Sequence, residues 1–140
     1  MYIINDIENL VLLNDMRVFP RLRASCGEIC ITNIRVDDFS ISYQKKIEAV
    51  ISQGLDVVEV EVEYYNYCEV HRARLIELGD GDKSSIYHAL KSEDVIITGN
   101  SLIREIAKEL AIKTIGIEDF VQSHIKDIMT IDMFNQLKIA

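Results

Sequence analysis

The chain has 140 residues, of which 49% are hydrophobic and 27% are charged, and its formal net charge is −8. This length and hydrophobic content suit one well-buried core and are too small for two ordinary domains, so we expect a single domain over residues 1–140. The acidic excess disfavours non-specific adhesion to nucleic acid, because such binding depends on Lys and Arg, and the lack of low-complexity stretches argues against a disordered region.

The first stretch of the chain, "MYIINDIENLVLLNDM", has no basic leader, and polar residues interrupt its apolar segment. It predicts neither a signal peptide nor a membrane-spanning helix. The cysteines, Cys26, Cys30 and Cys68, are odd in number, and the first two lack the second pair that a structural zinc site needs. We therefore expect reduced thiols in or near the core and a cytoplasmic protein with no membrane partner.

Short β-branched runs alternate with helical patterns along the whole chain, which is typical of βαβ units. The alternation predicts an α/β fold with a parallel sheet of about five strands. The predicted strands are Tyr2–Ile4, Glu28–Thr32, Asp56–Val62, Val95–Thr98 and Lys113–Gly116.

The third of these strands carries the sequence "VVEVEVE" at residues 57–63. Valines would cover one strand face and glutamates the other, whereas a strand buried on both faces would not alternate in this way. We therefore expect this strand at an edge of the sheet, with its charged face in solvent. The glutamates are interpreted as protective surface charges rather than as metal ligands.

Apolar residues recur at helical spacing in several segments between the strands. This period predicts helices at Ile7–Met16, at residues 43–51 and at residues 102–110, the last behind a cap at Ser101. From Ile117 onward the pattern predicts terminal helices.

Polar side chains follow three of the predicted strands, where parallel sheets usually bind their ligands. Asn5 and Asp6 follow the first strand, and Asn100 follows the fourth. After the second strand come Asp37 and Asp38, which we expect in the first turn of a helix. The carboxyl edge of the sheet is therefore the predicted functional site.

One more acidic group belongs to the stretch "IELGDGDKSSIYHAL", in which Asp80 and Asp82 flank Gly81. Asp, Gly and Ser are favoured where a helix begins, so helix capping is one interpretation. The other is that Asp82, at the start of the helix leading to the fourth strand, faces a cation in a cleft. The residues alone leave both interpretations open.

The segments "ICITNIRVDDF" and "LGDGDKSSIYHALKSEDVIITGNSLIREIAKELAIKTIGIEDF" resemble those of the PIN domains, metal-dependent ribonucleases that include the VapC-type toxins. The resemblance spans nearly the whole chain and implies a three-layer PIN-like fold. It places Asp38 at the family's second acidic position, with Asp37 as a neighbour that could substitute, and Asp82 at the third. Asn100 matches a position that is Asp or Asn in the family.

The first acidic position departs from the family pattern, which has an apolar strand followed by Asp. The register from Met1 puts Asn5 at that position, and Asp6 comes one residue later. Either a small local shift lets Asp6 act as the ligand, or the site has lost one charge.

The resemblance implies a divalent-metal-dependent endoribonuclease. Mg²⁺ and Mn²⁺ prefer carboxylate oxygen and can position an attacking water. Asp38, Asp82 and either Asp6 or Asn5 would bind the ion, and Asn100 would help orient the water. The partners implied are RNA, an antitoxin-like protein and a second copy of the chain in a homodimer.

A different class of function stays open beside the nuclease. Asn5 and the acidic net charge both favour a PIN-like domain with a degenerate site, acting as a nucleic-acid- or protein-binding regulatory module. A nucleotide-binding domain is disfavoured, because the sequence has neither GxGxxG nor GxxxxGK[ST].

Overall fold

A computed structural model describes residues 1–126 and 128–139 of the chain. Within them, one parallel sheet of five strands has the order β3-β2-β1-β4-β5. The predicted α/β fold with a parallel sheet is therefore confirmed. The strands are β1 (Tyr2–Ile4), β2 (Ile29–Thr32), β3 (Asp56–Val58), β4 (Val95–Ile97) and β5 (Thr114–Ile115).

Helices connect the strands, as parallel pairing requires, and continue after the last one. None of the helices in the described ranges is long and apolar enough to cross a membrane. The helices are α1 (Ile7–Met16), α2 (Phe19–Cys26), α3 (Asn33–Asp38), α4 (Gln44–Ser52), α5 (Glu63–Val70), α6 (Arg72–Leu75), α7 (Asp80–Ser92), α8 (Ser101–Glu109), α9 (Ile117–His124) and α10 (Ile128–Ile139), with a 3-10 turn at Ile41–Tyr43.

The central strands are buried on both faces, and successive side chains enter two separate cores. Ile4 and Ile97 pack in one core together with Phe120. Ile3 and Ile96 pack in the other core, on the opposite face of the sheet. Two cores around one sheet give the three layers that the resemblance implied, and they explain why these strands have continuous apolar sequences.

The strand that carries "VVEVEVE" lies at the edge of the sheet, as predicted, because within the described residues β3 pairs with β2 alone. Its predicted extent is wrong, since pairing ends at Val58 rather than Val62. The Val60 N–H donates to Asn33 Oδ1 instead of continuing the ladder, and Val62 is 82% exposed. The other four strands match their predicted ranges to within one residue at each end.

Candidate functional site

A polar cleft of about 470 Å³ lies at the carboxyl edge of the sheet. The central position of β1 places Asn5 and Asp6 at the middle of this edge, beside the residues that follow β4. We call this pocket the cleft. It is lined by Asn5, Asp6, Ile7, Glu8, Asn9, Arg35, Asp82, Gly99 and Asn100.

Asp6 lines the cleft and is held by donors from two chain segments. Its Oδ1 accepts hydrogen bonds from Thr98 Oγ1 at 2.8 Å and from Asn5 Nδ2 at 3.1 Å. Its Oδ2 accepts from the Gly99 N–H at 2.8 Å and from Asn9 Nδ2 at 3.4 Å. Asp6 is also the residue before α1, yet its side chain makes no capping bond. The carboxylate is therefore used to join the ends of β1 and β4.

Asn5 is 2% exposed, and its amide has a defined orientation. Ser85 Oγ donates to Asn5 Oδ1 at 2.7 Å, so the carbonyl oxygen faces α7. The Nδ2 group then donates both to Asp6 Oδ1 and to Asp82 Oδ1, the latter at 3.0 Å. Asn5 consequently presents N–H groups, rather than an oxygen ligand, to the two carboxylates.

Arg35 is the residue of α3 that faces the cleft, and sequence reasoning missed it. Its Nη1 lies 2.7 Å from Asp82 Oδ1 and 3.8 Å from Asp38 Oδ2. The guanidinium stacks over the Phe39 ring, 4.3 Å from its centroid, and the side chain is only 15% exposed. A partly buried internal cation therefore compensates the acidic groups that were predicted to bind a metal.

The start of α3 explains this placement. Thr32 caps the helix, with its Oγ1 accepting from the Arg35 N–H at 3.0 Å, and the same oxygen lies 2.6 Å from Ser84 Oγ. Asp37 and Asp38 consequently fall in the last turn, so the expected first-turn position is wrong. Asp38 does not line the cleft. The pattern Thr-x-x-Arg, with a capping Thr, was the signal that could have located Arg35.

The glycine between Asp80 and Asp82 makes room for Arg35. A Cβ atom at Gly81 would lie 2.8 Å from the Arg35 side chain and 3.0 Å from Asp38 Oδ2. Both aspartates are in the first turn of α7, but only Asp82 lines the cleft. Asp82 is therefore both a first-turn acid and a cleft residue, whereas Asp80 contributes its carbonyl oxygen to Tyr64.

Asn100 lines the cleft and is the N-cap of α8. Its Oδ1 accepts from the N–H groups of Leu102 at 3.0 Å and Ile103 at 3.2 Å. The predicted cap at Ser101 is wrong, since Ser101 is already the first helical residue. The side-chain oxygen of Asn100 is thus engaged with the helix rather than with the cleft.

We expect Asn100→Ala to lower the free energy of unfolding by about 1 kcal/mol, because two N–H groups of α8 lose their acceptor. Ser101→Ala is the matched control and should change stability by less than about 0.5 kcal/mol, as is usual for surface substitutions. Urea unfolding measures both. Equal losses in the two variants would contradict the assignment of the cap.

The donor set of the cleft does not fit a divalent cation in this arrangement. Among residues 1–126 and 128–139, the carboxylates of Asp6, Asp38 and Asp82 do not form a set with ligand atoms all within 4.8 Å of one another. Asp82 Oδ1 already accepts from Arg35 and Asn5. A metal ion at Asp82 Oδ1 would compete with the guanidinium for that oxygen, because both carry positive charge.

Comparison with known proteins supports the fold. No family model matches the chain, and no curated protein matches its sequence. One solved structure, a PilT N-terminus domain protein, SSO1118, from Sulfolobus solfataricus P2, aligns with a TM-score of 0.57 and 16% sequence identity. The alignment covers 91% of this chain and 96% of that one. PIN is the abbreviation of PilT N-terminus, so the chain has a PIN-like fold, as the sequence resemblance implied.

Proposed function

We propose that this PIN-like domain uses its cleft to bind a partner rather than to hydrolyse RNA with a metal ion. The observation that carries the proposal is the ion pair of Arg35 with Asp82, at 2.7 Å. A guanidinium supplies positive charge, but it does not generate a hydroxide nucleophile from bound water as a divalent cation does. The orientation of Asn5 supports the same reading, because its donors face the carboxylates.

The charge of the cleft favours a cationic protein segment as the ligand. Three acidic side chains line it, those of Asp6, Glu8 and Asp82, against the single basic side chain of Arg35. The net charge of −8 would oppose the approach of a polyanion such as RNA. A regulatory, protein-binding role therefore fits the electrostatics better than a nucleic-acid-binding one.

A metal-dependent endoribonuclease of the PIN/VapC type is the second candidate. The supporting observation is that Asp6 and Asp82 share one cleft and are bridged by the same Asn5 Nδ2. If Arg35 swings away, these carboxylates become available to Mg²⁺ or Mn²⁺, with Asn5 or Asp38 as a further neighbour. Either candidate function is compatible with a cytoplasmic location, since Cys26, Cys30 and Cys68 are free thiols.

Fluorescence anisotropy and RNA digestion test the proposal together. A labelled arginine-rich peptide should bind more tightly than a labelled single-stranded RNA, and Glu8→Gln should weaken peptide binding about fivefold by removing one acidic charge from the cleft. Glu48→Gln, the same change on α4 away from the cleft, is the control. Digestion of the RNA with Mn²⁺ should not exceed digestion with EDTA.

Two results would reverse the order of the candidates. The first is tighter binding of RNA than of the peptide. The second is Mn²⁺-dependent cleavage that Asp82→Asn abolishes, with Asp6→Asn distinguishing whether Asp6 takes the first ligand position. If the second result is obtained, the cleft is a nuclease site, and Arg35 must leave it during the reaction.

A further inference from the structure

A second group of ligand-type side chains lies outside the cleft, beside α7. Cys30 comes from β2, His88 from the middle of α7 and Asp94 from the residue before β4. The Cys30 Sγ, one ring nitrogen of His88 and one carboxylate oxygen of Asp94 all lie within 4.8 Å of one another. The helix α7 runs from the cleft toward the amino ends of the strands, so this group occupies the opposite part of the sheet.

One oxygen of the Asp94 carboxylate has no hydrogen-bond donor in the described part of the chain. The Asp94 side chain is 3% exposed, and Oδ2 is buried with no hydrogen-bond partner among the residues that the structure describes. The nearest cationic candidate is His88 Nε2, at 3.7 Å, which is charged only if the imidazole is protonated. Burying a carboxylate oxygen without a partner costs free energy of folding, so a ligand that binds this atom would stabilise the protein.

An ion pair between His88 and Asp94 alone would not use the thiol of Cys30, which packs in the same core as Ile3 and Ile96. The Cys30 side chain is buried beside the other two groups. A bound cation would replace the thiol proton, which would pass to solvent. One metal ion therefore accounts for all three side chains, whereas the ion pair accounts for two.

We propose that Cys30, His88 and Asp94 bind one transition-metal cation of the zinc class, with water as a fourth ligand. Thiolate, imidazole and carboxylate are the ligand types that Zn²⁺ takes in tetrahedral sites. Ligand atoms around a tetrahedral ion are separated by about 1.6 times the bond length, which is roughly 3.3–3.5 Å for a nitrogen and an oxygen bonded at about 2.0–2.2 Å. The His88–Asp94 separation of 3.7 Å is slightly longer, so a small movement of either side chain would bring both to the ion.

The site has a route for the ion and a mechanical consequence. The His88 side chain is 20% exposed, so the ion can enter beside it. Bound metal would link α7 directly to β2 and to the start of β4. Because α7 also carries Asp82 and Ser85, which hold Asn5, the metal would stabilise the helix on which the cleft is built.

Titration of the reduced, metal-free full chain with Co²⁺ tests the proposal. A thiolate–cobalt charge-transfer band should appear and should disappear when Zn²⁺ is added. His88→Gln and Asp94→Asn should weaken binding by at least about 100-fold, since losing a ligand exceeds the loss of an outer-shell contact. Cys26→Ala and Cys68→Ala are matched controls that should retain the band, and Asp82→Asn should retain it because the cleft is separate.

The fold of each variant is checked by circular dichroism. If Cys30→Ala does not fold, His88→Gln decides, because His88 is partly exposed and lies on the surface of α7. Absence of the band in the folded wild-type protein would overturn the proposal. So would a band that survives in folded His88→Gln and Asp94→Asn, or one that is lost in Cys26→Ala.

Discussion

Arg35→Met should lower the free energy of unfolding by about 3 kcal/mol, because it leaves the buried side of Asp82 without its counter-charge. Methionine keeps much of the alkyl length, so the loss reports the charge rather than the volume. The side chains of Arg35 and Asp82 are 15% and 20% exposed, which limits screening by solvent. Urea unfolding is the measurement.

Arg74→Met is the matched control for this prediction. Arg74 pairs with Glu109 at 3.5 Å, but both side chains are largely exposed, so its loss should cost less than about 1 kcal/mol. The double variant Arg35→Met/Asp82→Asn should recover part of the loss, with a coupling of about 1–3 kcal/mol. Equal effects of Arg35→Met and Arg74→Met would show that the internal ion pair does not hold the cleft together. Arg35→Met should also raise the affinity for Mn²⁺ in calorimetry.

Asn5→Asp should destabilise the metal-free protein by about 4 kcal/mol. The wild-type Asn5 side chain donates two hydrogen bonds, one to the carboxylate of Asp6 and one to that of Asp82. The substitution removes both and adds a third carboxylate at a position that is 2% exposed. Hydrogen bonds to charged groups contribute about 1.5–3 kcal/mol each, and a buried unpaired charge adds to their loss. Unfolding in urea with EDTA measures the effect.

Mn²⁺ should restore much of the stability of Asn5→Asp. The added carboxylate would strengthen binding of the cation, and the bound cation would stabilise the folded state. Asn66→Asp, the same change at an exposed position of α5, is the control and should be within about 0.5 kcal/mol of wild type in either buffer. A stable Asn5→Asp variant that ignores Mn²⁺ would mean that Asn5 does not control the charge of the cleft.

The sheet could be predicted well from the sequence, because a strand that is buried on both faces has a continuous apolar sequence. The residues Tyr2–Ile4 and Val95–Ile97 are continuous apolar runs, and their helices carry the usual period. The third strand was extended too far because an alternation of Val and Glu persists beyond Val58, where an Asn33 side chain ends the pairing. Local pattern alone does not show such a tertiary contact.

The candidate site was less predictable, since the charge and hydrogen bonding of its side chains depend on contacts between residues that are distant in the sequence. Asn5, Asp6 and Asn100 were identified by their places after strands and Asp82 by its place at a helix start, and the structure brings all four to the cleft. Arg35 was missed because a basic residue does not fit the pattern of an acidic metal site. The group of Cys30, His88 and Asp94 has no sequence spacing that marks it, because three separate elements bring it together.

The central place of β1 in the sheet has a consequence for how the protein matures during synthesis. Asp6 emerges from the ribosome early, whereas Thr98 and Gly99, which donate to its carboxylate, follow 92 and 93 residues later. Chains grow at about 5–20 residues per second, so this gap lasts on the order of 5–20 s. During that interval the first strand lacks its β4 neighbour and the cleft is incomplete. A nascent chain therefore cannot engage a cleft ligand until Thr98 and Gly99 have been made.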